Sequence, residues 1–131
     1  RTLAGHDEAE VEAEVRAALE GVEATWELEW IKVIRGTASP YPTPLSEAVR
    51  SVLERHVPDA RLGHDHCVGF TDSHWFRAAL PGVVAYNFAP YVQESHAEVY
   101  LRPHNFDERI HVRDLAFQAF LAEQVALELL Q

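Results

Sequence analysis

The sequence predicts an α/β fold, and three observations carry that expectation. Val11, Val15, Ala18, Leu19 and Val22 recur at three- and four-residue spacing, and this helical stretch stands between two strand-like ones. Beyond Pro44 the pattern alternates helix, strand, helix, strand, helix, as in a layer built on parallel strands. Val83 to Phe88 is an apolar run of the kind a strand covered on both faces carries.

Taken in order, Arg1-Thr2-Leu3 reads as the end of a strand and Ala4-Gly5 as a turn. Asp7 is placed to cap a helix over residues 8–20, with Glu8 and Glu10 complementing the dipole of its first turn. Gly21 near its end relieves left-handed strain. Trp26, Leu28 and Trp30 alternate with Glu27 and Glu29, which predicts a half-buried strand with one acidic face. The opening is therefore β-α-β and ends near Arg35-Gly36.

Residues 37–44 hold three prolines in eight positions, which predicts an extended linker and the main boundary in the chain. Leu45, Val49, Val52 and Leu53 then share one face of a helix that Pro58-Asp59 ends. Arg61 to Cys67 is expected to be a strand, Gly69 to Asp72 a turn, and Ser73 to Leu80 a short helix closed by Pro81-Gly82. A loop of about twenty residues follows the strand at 83–88, and a loop of that length in a compact piece is usually functional or disordered. Arg113 to Leu130 is expected to be a long apolar helix.

Composition narrows the function classes. The 131 residues carry 11 Lys and Arg against 21 Asp and Glu, a net charge of −10. That charge repels nucleic-acid phosphates and anionic lipid, so neither is expected as a partner. No apolar run reaches the roughly 18 to 20 residues that cross a bilayer, and the acidic first twenty residues do not resemble a secretory signal. A single cysteine, Cys67, excludes an internal disulfide and fits a reducing, cytoplasmic setting. The chain opens on Arg1 and contains no Met, which suggests a piece of a longer protein.

Eight histidines stand out in so acidic a chain. Surface roles account for His6, His56, His74, His96 and His111. In His64-Asp65-His66-Cys67, residues two apart on a strand point the same way, so His64 and His66 are candidates to face one metal together; a hydrated strand face is the plainer reading. His104 to Ile110 ends the long loop just before the last helix, above the strand ends where α/β folds build ligand sites. Asp107 and Glu108 there either orient the imidazole and the loop or serve as acidic residues at a helix start. Gly69-Phe70-Thr71-Asp72 either caps the following helix or offers its N–H groups to a substrate anion. Cys67 has no evident base. Phosphate loops, paired C-x-x-C cysteines and G-x-S-x-G are missing from the sequence.

In order, these stretches resemble the C-terminal portion of the co-catalytic zinc metallopeptidases that include aminoacylase, acetylornithine deacetylase, succinyl-diaminopimelate desuccinylase and glutamate carboxypeptidase. Arg1-Thr2-Leu3-Ala4-Gly5 is similar to that family's Asp-x-Arg-x-x-Pro-Gly strand end. Gly69 to Ser73 with Phe76-Arg77 is similar to its Gly-Gly-Thr-Asp-Ala/Ser turn and helix. Val83 to Pro90 resembles the strand ending Gly-Phe-Gly/Ser-Pro. His104 to Ile110, then Val112, Asp114 and Leu115, resembles His-x-x-Asp/Asn-Glu-Arg-Ile/Val-x-Val-x-Asp-Leu, the most specific of the four.

The resemblance implies that residues 1–38 form the second half of a lid, or dimerisation, domain and 39–131 the closing α/β part of a zinc-dependent catalytic domain. It makes His104 a zinc ligand, places Arg1 where a guanidinium fork pairs with the substrate carboxylate, and puts Thr71 in the pocket wall. The whole protein would be a cytoplasmic homodimer cleaving an amide bond in an N-acyl amino acid or peptide. Two zinc ions would polarise the carbonyl, and a glutamate would activate water. The other metal ligands would lie in the N-terminal part of the same protein, so residues 1–131 alone are expected to be inactive. Ala4, Phe70, Asn87 and Ala89 depart from the family pattern, and Phe70 implies a bulkier pocket than glycine gives. Two other readings stand beside this one: a non-catalytic binding or dimerisation module of the same architecture, and a small mononuclear metal site using His64, His66 and His104.

Overall fold

Asp7 starts the first helix as its spacing predicts. In a computed structural model of the chain, α1 spans Glu8–Ala18 and opens on a reciprocal capping box. The Glu10 N–H donates to Asp7 Oδ1 at 2.9 Å, and the Asp7 N–H donates to Glu10 Oε2 at 2.9 Å. The structure describes every residue except Asp65, His66 and Val68, and the backbone but not the side chain of His96. It divides into two compact units: Arg1–Ser39 with His66–Ala85, and Pro40–Asp65 with Tyr86–Gln131.

In the first unit the expected β-α-β opening is reduced to one parallel bridge, Ala4 with Gly36. The Thr2 N–H donates to the Ile34 carbonyl at 3.1 Å, and the Gly36 N–H donates to Thr2 Oγ1 at 3.3 Å. The backbones come so close that a Cβ on Gly36 would lie 2.4 Å from the Ala4 nitrogen, so only glycine fits. Arg35 forks onto Glu8 through Nε at 3.0 Å and Nη2 at 3.1 Å, fastening α1 beside the bridge. That guanidinium holds the Glu8 carboxyl below its ordinary range. Later in the unit, α3 spans Ser73–Ala79, and the capping expected of Thr71 or Asp72 is made by backbone alone. The carbonyls of Thr71 and Asp72 accept the N–H groups of His74 at 3.1 Å and Trp75 at 2.9 Å.

The stretches expected as strands at 25–34 and 83–88 form no ladder among the described residues; the third, 61–67, lies in part outside them. Ala85 shows what replaces the ladder. Its N–H donates to Ser39 Oγ at 2.9 Å, and its carbonyl accepts from the same hydroxyl at 3.1 Å and from Arg77 Nη1 at 2.6 Å. A strand is stable when neighbouring backbone satisfies its polar groups, and here side chains do so instead.

The second unit is built on two helices. Thr43 and Ser46 cap each other at the start of α2, Pro44–His56, where Pro44 sits at a first-turn position that needs no N–H. The apolar face read from the sequence is the buried one: Ala48, Val49, Val52 and Leu53 close on Leu121 and Val125 of α5, Val112–Leu129. Leu45, Val57, Ala60, Leu62 and Phe117 pack around this core. The other faces of α5 are also apolar, and Leu115, Leu127 and Leu129 stand exposed on them. Within the expected long loop lies one more helix, α4, His96–Tyr100, which the Ser95 and Glu98 capping box starts. Among the described residues, helix makes up 42% of the chain and strand almost none. Among these described residues, no helix is long and apolar enough to cross a membrane.

Candidate functional site

The stretch from Leu101 to His111 is a chain of tight turns. The Asn105 N–H donates to the Arg102 carbonyl at 3.0 Å, and the Glu108 N–H donates to the Asn105 carbonyl at 3.1 Å. His104 sits between them with φ of 63°, the left-handed region that non-glycine residues seldom occupy. Glu108 Oε2 accepts the His104 N–H at 3.3 Å. Asp107 is engaged by Arg109. Of the two acidic residues weighed as orienting groups, Glu108 therefore holds the loop backbone and Asp107 pairs with a neighbour. The imidazole of His104 is exposed.

Two clefts flank Arg109 and Ile110. One, of about 350 Å³, runs past Tyr91, Arg102, Pro103 and Glu108. The other, of about 310 Å³, runs past Glu94, His111 and Val112. The side chains of Arg102 and Glu94 are 16% and 21% exposed and form an ion pair at 2.7 Å. Asp114, in the first turn of α5, is fully buried. Its Oδ1 accepts the N–H groups of Val92 at 2.8 Å and Gln93 at 3.0 Å, while Oδ2 has no hydrogen-bond partner among the described residues. Gln118 Nε2 donates to the Pro90 carbonyl at 3.1 Å. The first turns of α5 thus hold residues 90–93 in place.

Arg1 and Thr71 belong to the first unit, and His104 to the second. The guanidinium carbon of Arg1 lies 5.5 Å from the centroid of the Phe70 ring, so the structure brings Arg1 to the turn that carries Thr71. Phe70 packs on His74 with ring centroids 5.1 Å apart and meets Trp75 edge-on at 5.7 Å. His74 and Trp75 meet edge-on at 4.8 Å. Thr37 Oγ1 shares a hydrogen bond with His74 Nδ1 at 3.4 Å and accepts from Arg77 Nε at 2.9 Å. Thr71 is half-buried within this group.

The metal reading of His64 and His66 involves a residue outside those described. His64 itself stacks on Tyr41 with centroids 4.7 Å apart. Among the described residues, no three His, Cys, Asp or Glu side chains gather in a group able to hold a metal ion. One exposed imidazole does not make a zinc centre, so these residues do not fit a metal pair by themselves. Sequence reasoning missed the Glu94–Arg102 pair and the task of Asp114. The signal that could find the pair is Ser95-x-x-Glu98, a capping box that starts the short helix separating Glu94 from Arg102 inside the expected loop. Compared with family models, curated proteins and solved structures, the chain matches none.

Proposed function

We propose that these residues are the C-terminal portion of a zinc-dependent amide hydrolase similar to aminoacylase and its relatives, acting on an N-acyl amino acid or peptide. The observation that carries the proposal is the loop before α5. His104 is exposed on a left-handed turn that Glu108 fixes through the backbone, and Asp114 and Gln118 anchor the neighbouring segment to the helix. That is how a ligand-bearing loop is made rigid. In this reading His104 supplies one zinc ligand, Arg1 takes the substrate carboxylate, and Thr71 lines the pocket.

The remaining ligands of the two zinc ions come from the N-terminal part of the same protein. That part would also place strands beside 25–34 and 83–88, which completes the α/β class. Phe106, 101% exposed, Ile31, 94%, and Leu130, 83%, are large apolar side chains that such a partner would cover. The stretch at 25–34 would pair the two subunits of a homodimer in the cytoplasm. The test is zinc content and hydrolysis of the whole protein. His104→Ala should lower bound zinc and abolish cleavage, and unchanged zinc stoichiometry sinks the ligand assignment. Residues 1–131 alone should show no turnover, and robust metal-dependent cleavage by them would overturn the proposal.

A further inference from the structure

Phe70, His74 and Trp75 form a connected aromatic group, and it is open to solvent. Phe70 is 38% exposed and Trp75 55%, although burial is the usual fate of such large apolar rings. A cation lies on the group as well. Arg1 is in no ion pair among the described residues, in a chain with 21 acidic side chains, and its guanidinium rests over Phe70 instead. The second guanidinium nearby is already engaged, since Arg77 donates to Thr37 Oγ1 and to the Ala85 carbonyl. Thr37, the tilted contact with Phe70 and the edge-on contact with Trp75 fix the ring of His74, so the platform is built before any ligand arrives.

From this we infer that Phe70 and Trp75 are specificity-determining residues that select a ligand with an aromatic ring a short spacer away from a carboxylate. The inference rests on the proposed hydrolase reading, in which Arg1 takes the substrate carboxylate, and it names the group beside that carboxylate. The ring stacks on the exposed edges of Phe70 and Trp75, where offset and edge-on arrangements are favoured. The carboxylate meets the guanidinium fork, which matches its two oxygens. Both contacts lie in the first unit, so binding can be read without zinc or turnover.

The experiment titrates the 131-residue chain with 3-phenylpropanoate, propanoate and 3-phenylpropanamide while following the Trp75 indole N–H by NMR, assigned with Trp75→Phe. None of the three probes carries an N-acyl amino acid bond. The expected result is saturable movement of the Trp75 signal by 3-phenylpropanoate, with affinity about tenfold above either other probe. Phe70→Ala should weaken 3-phenylpropanoate about tenfold and leave propanoate unchanged, and Phe70→Tyr should restore it. Arg1→Gln should weaken both carboxylates and leave the amide unchanged. Equal affinity for 3-phenylpropanoate and propanoate overturns the inference, as does a Trp75 signal that none of the probes moves. Propanoate binding that depends on Arg1, with no preference for the phenyl group, rejects the aromatic selection alone. The hydrolase reading fails separately, on zinc stoichiometry.

Discussion

The carboxylate of Asp114, in the first turn of α5, accepts the backbone N–H of Val92 at 2.8 Å across 22 residues of sequence. With Gln93 on the same oxygen, one buried side chain supplies what a neighbouring strand would supply to an extended segment. Asp114→Ala leaves two N–H groups without an acceptor and should cost about 3 kcal/mol. Asp114→Asn keeps one acceptor oxygen and should cost less. Urea unfolding midpoints order the three proteins, and equal midpoints for Asn and Ala would show that the acceptor is not what matters.

The α2–α5 core sets a second expectation. Leu121 is almost fully buried among Val52, Leu53 and their neighbours, so Leu121→Ala should cost about 3 kcal/mol through lost burial and the cavity left behind. Leu127→Ala, on the exposed side of the same helix, should change stability by less than about 0.5 kcal/mol. Comparable losses from both would place the outer face of α5 in contact with a second molecule.

Gly36→Ala should break the pairing of the first unit, because its Cβ would meet the Ala4 backbone. The readout is hydrogen exchange of the Thr2 N–H, which is held by the Ile34 carbonyl and should lose protection. Gly63→Ala meets nothing within 4 Å and serves as the control.

Acid should loosen the contact between α2 and α5. Hydrogen bonds from Ser51 and Arg55 hold the Glu128 carboxyl below its ordinary value of 4.5. A carboxyl depressed in the folded state stabilises it above the unfolded value, and that contribution fades as pH falls through the folded value. The loss therefore begins as pH drops below 4.5. Glu128→Gln should be less stable than the parent at pH 7, with the gap between their urea midpoints closing toward pH 3. A gap that stays constant would show that this carboxyl does not sense folding.

Four of the five helices, all but His96–Tyr100, were legible because their signals are local. Asp7 with Glu10, and Leu45 with Val49, Val52 and Leu53, state a cap and a face within a few residues. The extended stretches were not, since a strand depends on a neighbour that its own sequence does not specify. Ala85 finds its partners in Ser39 and Arg77, 46 and 8 residues away, and no periodicity encodes that. Of the candidate site, the loop position of His104 could be read in advance, while the backbone task of Glu108 was one of several that its position allowed, shared with Asp107. The meeting of Arg1 with Phe70 could not, because 69 residues separate them in the chain.

The left-handed turn at position 104 separates two specifications that a single histidine fulfils together. One is a backbone shape, which an ordinary L-residue adopts at a cost of roughly 1 to 2 kcal/mol and which asparagine tolerates better than alanine. The other is a ring nitrogen presented to solvent. His104→Asn keeps the first and discards the second, so the loop retains its path while its donor atom disappears. Alanine disturbs both at once, and the difference between the two replacements measures how much of this histidine's value lies in its backbone geometry and how much in its ring.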